Sequence, residues 1–327
     1  MQVVTGAAGY IGNVLIRELL SRGEKVKALI RSTSDLSSLE GLEIEKVLGN
    51  ILDKDSLARA FKGADTVFHL AAIISIMPGD RAFIRRVNLE GTKNVIDACI
   101  KCRVRRLIYA SSIHALKEPP HGTVIDEDMP FDINSSRGEY DRSKALASLA
   151  VIGSAKAGLD PVVVCPTGVI GPYDFRRSLI TGTFIDFAKG KMTITTKGGA
   201  YDFVDVRDVA KGLILAAENG KTGQYYILSG ERITMNKMMS ILSEVSGVRP
   251  PRYKVPIWLV KTAGMCTPLY YKLANKTPRF TYYSVNTLLS NSYISHGKAS
   301  RELGYEPITI KESIEDTFEW LRENKIV

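Results

Sequence analysis

The amino-acid sequence predicts an α/β fold, a doubly wound parallel sheet with a smaller, helix-rich C-terminal lobe. Three observations predict it: a glycine-rich turn between a strand and a helix at the very start, strand and helix patterns that alternate to about residue 172, and a strand, Thr66-Val67-Phe68-His69-Leu70, that is apolar on both sides. Strands covered by helices on both faces read as continuous apolar runs, whereas half-exposed antiparallel strands alternate.

Val3-Val4 opens the first strand, and Gly6-Ala7-Ala8-Gly9-Tyr10-Ile11-Gly12 turns it into a helix on which Ile11, Leu15, Ile16, Leu19 and Leu20 share a face. Glycines accept φ > 0 and let backbone approach a ligand, and the free N–H groups of a first helical turn favour an anion. The expected guest is a dinucleotide pyrophosphate. The helix ends near Arg22-Gly23, and Lys25 to Arg31 is the second strand. Its end meets the adenosine ribose in such folds, where an acidic residue binds a free 2′-hydroxyl and an arginine accommodates a 2′-phosphate. Arg31, followed by Ser32-Thr33-Ser34-Asp35, therefore favours NADP(H), with NAD as the alternative.

Ile44 to Leu48 is the third strand, followed by Gly49-Asn50-Ile51 and a short helix that closes at Gly63. The fourth strand runs from Asp65 to Ala72, a helix from about Asp80 to Lys101 contains Asn88-Leu89-Glu90-Gly91-Thr92, and Val104 to Ser112 is the fifth strand. A helix from about Tyr140 to Lys156 precedes the sixth, Pro161 to Val169. Beyond Gly171-Pro172 the alternation breaks: Arg176 to Lys191 should be helical, Met192 to Thr196 extended, Tyr201 to Ala210 should lead into a helix, and Gln224 to Ser229 should return to the sheet. The resulting division is a dinucleotide-binding domain at 1–172, joined by 200–230, and a substrate-binding lobe at 173–199 and 231–327, set against the carboxyl ends of the strands. Pro256-Ile257-Trp258-Leu259-Val260 and Leu269-Tyr270-Tyr271-Lys272-Leu273 read either as a lid on an apolar pocket or as core of that lobe.

Composition excludes several classes of function. At 327 residues, 45% hydrophobic and 24% charged, the chain is neither disordered nor fibrous. It has no run of the ~20 apolar residues a membrane span needs and no secretory leader pattern, so the expected compartment is the cytoplasm. Cys99 and Cys102 have the spacing of a zinc or redox pair, but no second pair completes a site, so the cysteines read as structural and no metal is expected. The net charge of +9 is spread along the chain as a solvated surface rather than as a nucleic-acid patch.

Tyr140 and Lys144, four residues apart on a helix, share a face. A neighbouring cation favours phenolate, which moves a tyrosine towards a useful general acid/base. Tyr109-Ala110-Ser111-Ser112 ends a strand with a hydroxyl that can orient a substrate oxygen while Tyr140 exchanges its proton.

With these residues the chain resembles the extended short-chain dehydrogenases/reductases. The resemblance rests on Thr5 to Gly12, His69-Leu70-Ala71-Ala72, Asn88-x-x-Gly91-Thr92, Ser111-Ser112, Tyr140-x-x-x-Lys144, Pro166 to Pro172 and Phe203 to Ala210, and it covers nearly the whole chain. It implies a Rossmann fold and a Ser112/Tyr140/Lys144 catalytic triad. It also implies cofactor contacts from Gly6, Gly9, Tyr10, Ile11, Gly12, Arg31, Asn50, Ile51, Leu70, Ala71, Ala72, Asn88, Tyr140, Lys144, Pro166 and Val169. Sugar-nucleotide members usually follow the serine with Val-Tyr-Gly and carry a proline shortly before the tyrosine. Here Ile113-His114-Ala115-Leu116 and Arg137-Gly138-Glu139 stand instead, more similar to dihydroflavonol reductases and 3β-hydroxysteroid dehydrogenases. Asn50 stands where an aspartate is common, and Cys165 precedes Pro166 where an arginine is frequent.

The expected function is therefore carbonyl–alcohol interconversion on a small apolar or ring substrate. The alternatives are a nucleotide-sugar epimerase or dehydratase with retained NAD, and a non-enzymatic NADP-binding sensor or scaffold; the latter typically loses the tyrosine or lysine. A homodimer through paired helices is common among similar enzymes.

Overall fold

The computed structural model describes residues 1–74, 81–256, 259–260 and 282–327. From the amino terminus, β1 (Gln2–Thr5), α1 (Tyr10–Ser21), β2 (Val26–Ile30), β3 (Glu45–Leu48), α2 (Lys54–Phe61), β4 (Thr66–His69), α3 (Arg81–Arg85), α4 (Gly91–Lys101), β5 (Arg106–Ala110), α5 (Glu139–Gly153) and β6 (Asp160–Pro166) follow the expected alternation. β7 (Gly168–Ile170), α6 (Leu179–Ala188), β8 (Ile194–Lys197), β9 (Ala200–Asp205), α7 (Val206–Asn219), β10 (Tyr225–Leu228), β11 (Glu231–Thr234), α8 (Met235–Ser246) and β12 (Tyr253–Pro256) continue the chain.

Seven strands form one parallel sheet in the order β10-β6-β5-β4-β1-β2-β3. Strand order reverses between β1 and β4, whose ends are paired through Thr5 and His69. Such a reversal opens a crevice at the carboxyl ends of the strands, because the connections on its two sides leave in opposite directions.

Successive strand residues point to opposite faces, so each strand feeds two cores. Val4, Phe68 and Ile108 pack with Leu15 and Ile16 of α1 and Val209 and Leu213 of α7. Val3, Val67, Leu107 and Tyr109 pack with Phe61 of α2, Val95 and Cys99 of α4 and Ala147 and Val151 of α5. A third core joins Phe184 and Phe187 of α6, Tyr201 and Phe203 of β9, Met238 and Leu242 of α8, and Ile314 and Phe318 of the C-terminal helix Ile310–Glu323.

Two boundaries differ from expectation. The expected sixth strand is two: β6 stops at Pro166, and β7 pairs with β9 in a separate sheet of three strands. A Cβ on Gly168 would lie 2.8 Å from the Phe203 ring and 2.9 Å from the Tyr201 ring, so only glycine lets β7 lie against β9 here. The expected helix to Lys101 contains one π-helical turn, Arg86–Glu90, between α3 and α4. Asn88 lies in that turn, and its side chain pairs with both backbone groups of Ile73. The segments proposed as a pocket lid lie largely outside the described residues, as do Cys266 and the start of the helix expected from Asp80. Cys99 is buried, and the thiol of half-buried Cys102 donates to the Ala58 carbonyl, as structural cysteines do. Among the described residues, none forms a cluster able to hold a metal ion and no helix is long and apolar enough to cross a membrane.

Asp205 ties β9, α7 and the C-terminal helix together. Its buried carboxylate accepts from the Arg207 backbone N–H at 2.7 Å, capping α7, from the Arg207 guanidinium twice at 2.9 Å, and from the Ser313 hydroxyl at 2.5 Å. Arg207 reaches on to Asp316 at 2.6 Å. Removing one partner of a buried, hydrogen-bonded charge pair typically costs ~3–5 kcal/mol. We expect Asp205→Ala to lose about that much in urea unfolding and Ser313→Ala about 1 kcal/mol; an Asp205→Ala loss no larger than that of Ser313→Ala would refute this role.

Candidate active site

The first turn is built around glycine. Gly6 has φ of 72°, and a Cβ there would lie 2.7 Å from the Ala71 nitrogen, so a side chain is excluded twice over. A Cβ on Gly12 would come 2.3 Å from the Gly6 carbonyl oxygen, which fixes the packing of α1 on its own turn. Gly9 caps α1 without a side-chain hydrogen bond, and the first turn of α1 carries no acidic residue. The helix N-terminus thus keeps N–H groups and a positive dipole end suited to a phosphate.

A chain of buried hydrogen bonds locks this turn to β4. Thr92 Oγ1 lies 2.7 Å from the Asn88 carbonyl, to which it donates, and 3.0 Å from His69 Nε2; His69 Nδ1 lies 2.7 Å from Thr5 Oγ1, which accepts from the Ala71 N–H at 3.3 Å. The donors are consistent in only one direction, with His69 protonated on Nε2. Burial, aided by the Lys144 charge, pushes this imidazole down to about 3, so it stays neutral.

The other candidate cofactor residues are distributed around that crevice. Leu70, Ala71 and Ala72 follow β4 and are half-buried, and Asn88 braces the same segment through Ile73. Exposed Arg31 ends β2; among the described residues its guanidinium has no hydrogen-bond or ion-pair partner. Asn50 turns its side-chain oxygen to the Leu52 N–H, and buried Ile51 packs on Gly91. Tyr10 donates to the Gly171 carbonyl at 2.6 Å, and Ile11 packs on the core, so both side chains brace α1. Pro166 ends β6 beside Leu228, while Val169 stands in β7.

Ser112, just beyond β5, and Tyr140 on α5 come together: the Ser112 hydroxyl is near enough to the Tyr140 phenol to pull its pKa down against burial, and Ser112 Oγ accepts from the His114 N–H at 3.2 Å. Lys144, one turn along α5, is buried and donates to the Ala110 carbonyl at 2.5 Å and the Tyr109 hydroxyl at 3.2 Å, with its Nζ 4.5 Å from the Tyr109 ring centre. Asn88 secures α5 through Ser143, whose hydroxyl donates to the Tyr140 carbonyl. Ser111 contacts Ser148 of α5 at 2.6 Å.

The electrostatics correct one expectation. Burial pushes the Tyr140 phenol up to about 12, with Ser112 pulling the other way, and Lys144 does not hold it below its ordinary value. Burial instead pushes the Lys144 ammonium down to about 7. A phenol kept neutral beside a serine hydroxyl can donate a proton to an oxygen that gains charge.

One partly buried array escaped the sequence reading. Tyr201 Oη lies 2.9 Å from His114 Nε2, and Arg137 donates to the His114 and Leu116 carbonyls while pairing with Asp141 at 2.8 Å and Glu118 at 3.0 Å. The i,i+4 spacing of Arg137 and Asp141 was the available signal.

The model of the NAD dependent epimerase/dehydratase family matches residues 2–228. The chain is 36% identical to sterol demethylase protein B of Methylococcus capsulatus, over 99% of each chain. It is 31% identical to a putative dihydroflavonol 4-reductase of Synechocystis (99% of this chain, 95% of the relative) and 31% identical to a 3-beta-hydroxysteroid dehydrogenase of Mycolicibacterium neoaurum (94% and 87%). The crystal structure of gox2253 superposes with a TM-score of 0.86 at 31% identity, covering 100% of this chain and 99% of that one.

The buried lysine makes stability depend on pH. Between about 7, the folded value, and the ordinary lysine value near 10.5, the unfolded chain holds a proton that the folded chain lacks. The contribution of Lys144 is therefore least favourable, and constant, below about pH 7, and it improves as pH rises to about 10.5. Cys99 and Cys165, pushed up by burial, act in the opposite sense above their ordinary range near 9, so a comparison of variants is needed to isolate the lysine. We expect the stability of Lys144→Met relative to wild type to be greatest near pH ~6 and to fall steadily towards pH ~10 in urea unfolding; a flat difference would show that the amine is not held neutral.

Proposed function

The chain belongs to the NAD dependent epimerase/dehydratase family, and from that premise we propose an NADP(H)-preferring oxidoreductase that interconverts a carbonyl and a secondary alcohol on a small apolar or ring substrate. The observation that carries the reading is the meeting of the Ser112 hydroxyl with the buried, neutral Tyr140 phenol, with Lys144 one helical turn away. The relatives named for a sterol, a dihydroflavonol and a 3-beta-hydroxysteroid support a ring substrate.

The residues fit the cofactor. Gly6, Gly9 and the uncapped start of α1 suit its pyrophosphate, Arg31 suits a 2′-phosphate, and Asn88 ties the segment after β4 to Ser143 on α5, between Tyr140 and Lys144 in sequence. A bound nicotinamide supplies or accepts the hydride. In the reductive direction Ser112 hydrogen-bonds the carbonyl oxygen, and Tyr140 donates its proton as charge develops there. Lys144, partly protonated at physiological pH, holds a proton that can follow to Tyr140 through water. Reversal of these transfers oxidises the alcohol. Free, mainly buried thiols suit a reducing cytoplasm.

Tyr140→Phe should keep the fold and bind NADPH within about twofold of wild type while kcat falls ~10²–10⁴-fold, the usual contribution of a general acid. Stopped-flow absorbance of NADPH against steroid, flavonoid and aldehyde carbonyls measures it, and an unimpaired variant refutes the assignment. Tightly retained NAD with no net NADPH consumption, and turnover of a sugar nucleotide, would favour the epimerase reading instead.

A further inference from the structure

Ser112 opens a short turn that is held from outside. It caps the single 3₁₀ turn Ile113–Ala115: its Oγ accepts from the His114 N–H at 3.2 Å and its carbonyl from the Ala115 N–H at 3.0 Å. Arg137 closes the other end, donating to the His114 carbonyl at 2.8 Å and the Leu116 carbonyl at 3.1 Å. So short a turn has few bonds of its own, and its orientation is set by the groups that grip it.

His114 is gripped at three points by three parts of the chain. Its N–H is on Ser112, its carbonyl is on Arg137, and its Nε2 lies 2.9 Å from Tyr201 Oη, with the two rings nearly parallel and their centres 6.0 Å apart. Burial, aided by the Arg137 charge, pushes this imidazole down to about 3, and burial pushes the Tyr201 phenol up. The contact therefore joins two neutral groups and does not titrate near neutral pH. Tyr201 is a firm anchor: it is buried, its ring meets Phe203 edge-on at 5.5 Å, and its backbone pairs with Ile233 of β11. Arg137 is anchored as well, by Asp141, the residue after Tyr140, at 2.8 Å and by Glu118 at 3.0 Å, which in turn accepts from the Asn291 N–H at 2.7 Å. A cleft lined by Ile113, His114, Arg137, Tyr201 and Asn291 runs between these parts.

We propose that Tyr201 is a positioning residue for Ser112, acting through His114. Its hydroxyl fixes the His114 turn, and the turn's N–H fixes the Ser112 oxygen. That N–H occupies one lone pair of the serine, whose own proton remains to be donated to the substrate oxygen. The inference rests on the carbonyl–alcohol reading above and adds to it a residue of β9, from the third core.

Steady-state NADPH oxidation by the full-length protein, with a 3-ketosteroid and an aromatic aldehyde as probes, tests this in a cycle of Tyr201→Phe, Ser112→Ala and the double variant. Ser112→Ala should lower kcat ~10²-fold, as loss of one donor to a developing oxyanion does. Tyr201→Phe keeps the ring and should lower kcat ~10-fold, with KM and NADPH affinity within about twofold of wild type. In the double variant the loss should be no greater than in Ser112→Ala, because Tyr201 acts through that hydroxyl. His114→Gln, whose amide can meet the Tyr201 hydroxyl, should retain more of kcat than His114→Ala, although both keep the backbone N–H. Undiminished kcat in Tyr201→Phe beside an impaired Ser112→Ala overturns the positioning role and leaves the functional reading standing. So does a Tyr201→Phe loss that multiplies with that of Ser112→Ala, or one that appears in NADPH affinity, since either marks a general loss of structure. Full activity in Ser112→Ala, or a wild type that oxidises NADPH with neither probe, overturns the functional reading and this inference together.

Discussion

Backbone approaches backbone between Gly6 and Ala71 more closely than any side chain permits, and the crevice exists because of that contact. A Cβ on Gly6 would sit 2.7 Å from the Ala71 nitrogen, so β1 can turn into α1 directly over the end of β4 only with glycine there. The Thr5, His69, Thr92 and Asn88 hydrogen bonds then fix the two strand ends without an exposed polar group. Each link is buried, and a buried donor or acceptor left unsatisfied typically costs ~1–3 kcal/mol, so the chain of bonds forms as a unit. Its neutral histidine matters: a charged ring could not accept from Thr5, and it would stand near the Lys144 ammonium.

From Asn88 the same unit reaches the chemistry. Its amide binds Ile73 on one side and Ser143 on the other, and Ser143 lies one residue before Lys144. The π-turn at Arg86–Glu90 is the local distortion that aims Asn88 at both. Among the described residues Lys144 has no carboxylate partner and is held by a carbonyl, a phenol oxygen and an aromatic face. Those dipoles offset only part of the loss of hydration, which is why its proton is weakly held. The same burial acts on Tyr140 in the opposite sense, since phenol is neutral when protonated. One environment thus leaves an acid protonated and its neighbouring amine only partly charged near pH 7, a combination that exposed residues with the same spacing would lack.

What was legible in the sequence was local. The glycine turn, the strand runs and Tyr140-x-x-x-Lys144 are each set by residues within a few positions, and the parallel sheet followed from their alternation. The break after Pro166 was not legible because its cause is remote: Gly168 yields to the rings of Phe203 and Tyr201 on β9. The π-turn depends on Ile73, 15 positions from Asn88, and the Tyr201–His114 contact spans 87 positions. Periodicity carries no information on such pairs. The direction of the Tyr140 shift was missed for a related reason, because charge can be read from composition but depth of burial is set by the whole fold.

The distribution of these contacts bears on how such a chain can change its substrate without losing its reaction. Ser112, Tyr140 and Lys144 are positioned by β5, α5 and the π-turn, through Ser148, Asn88 and Ser143, all before residue 160. The core of α6, α8, β9 and the C-terminal helix is anchored separately, by its own aromatic residues and by Asp205. The Tyr201–His114 contact joins the two regions within two residues of Ser112, so substitutions around it should be felt at the proposed site. Elsewhere in that third core, packing can vary with less effect on the proposed proton-transfer geometry, because among the described residues the contacts that hold Ser112, Tyr140 and Lys144 come from β5, α5 and the π-turn. On the proposed reading, specificity can therefore drift in the later half of the sequence while the earlier half is held by buried hydrogen bonds that tolerate little change.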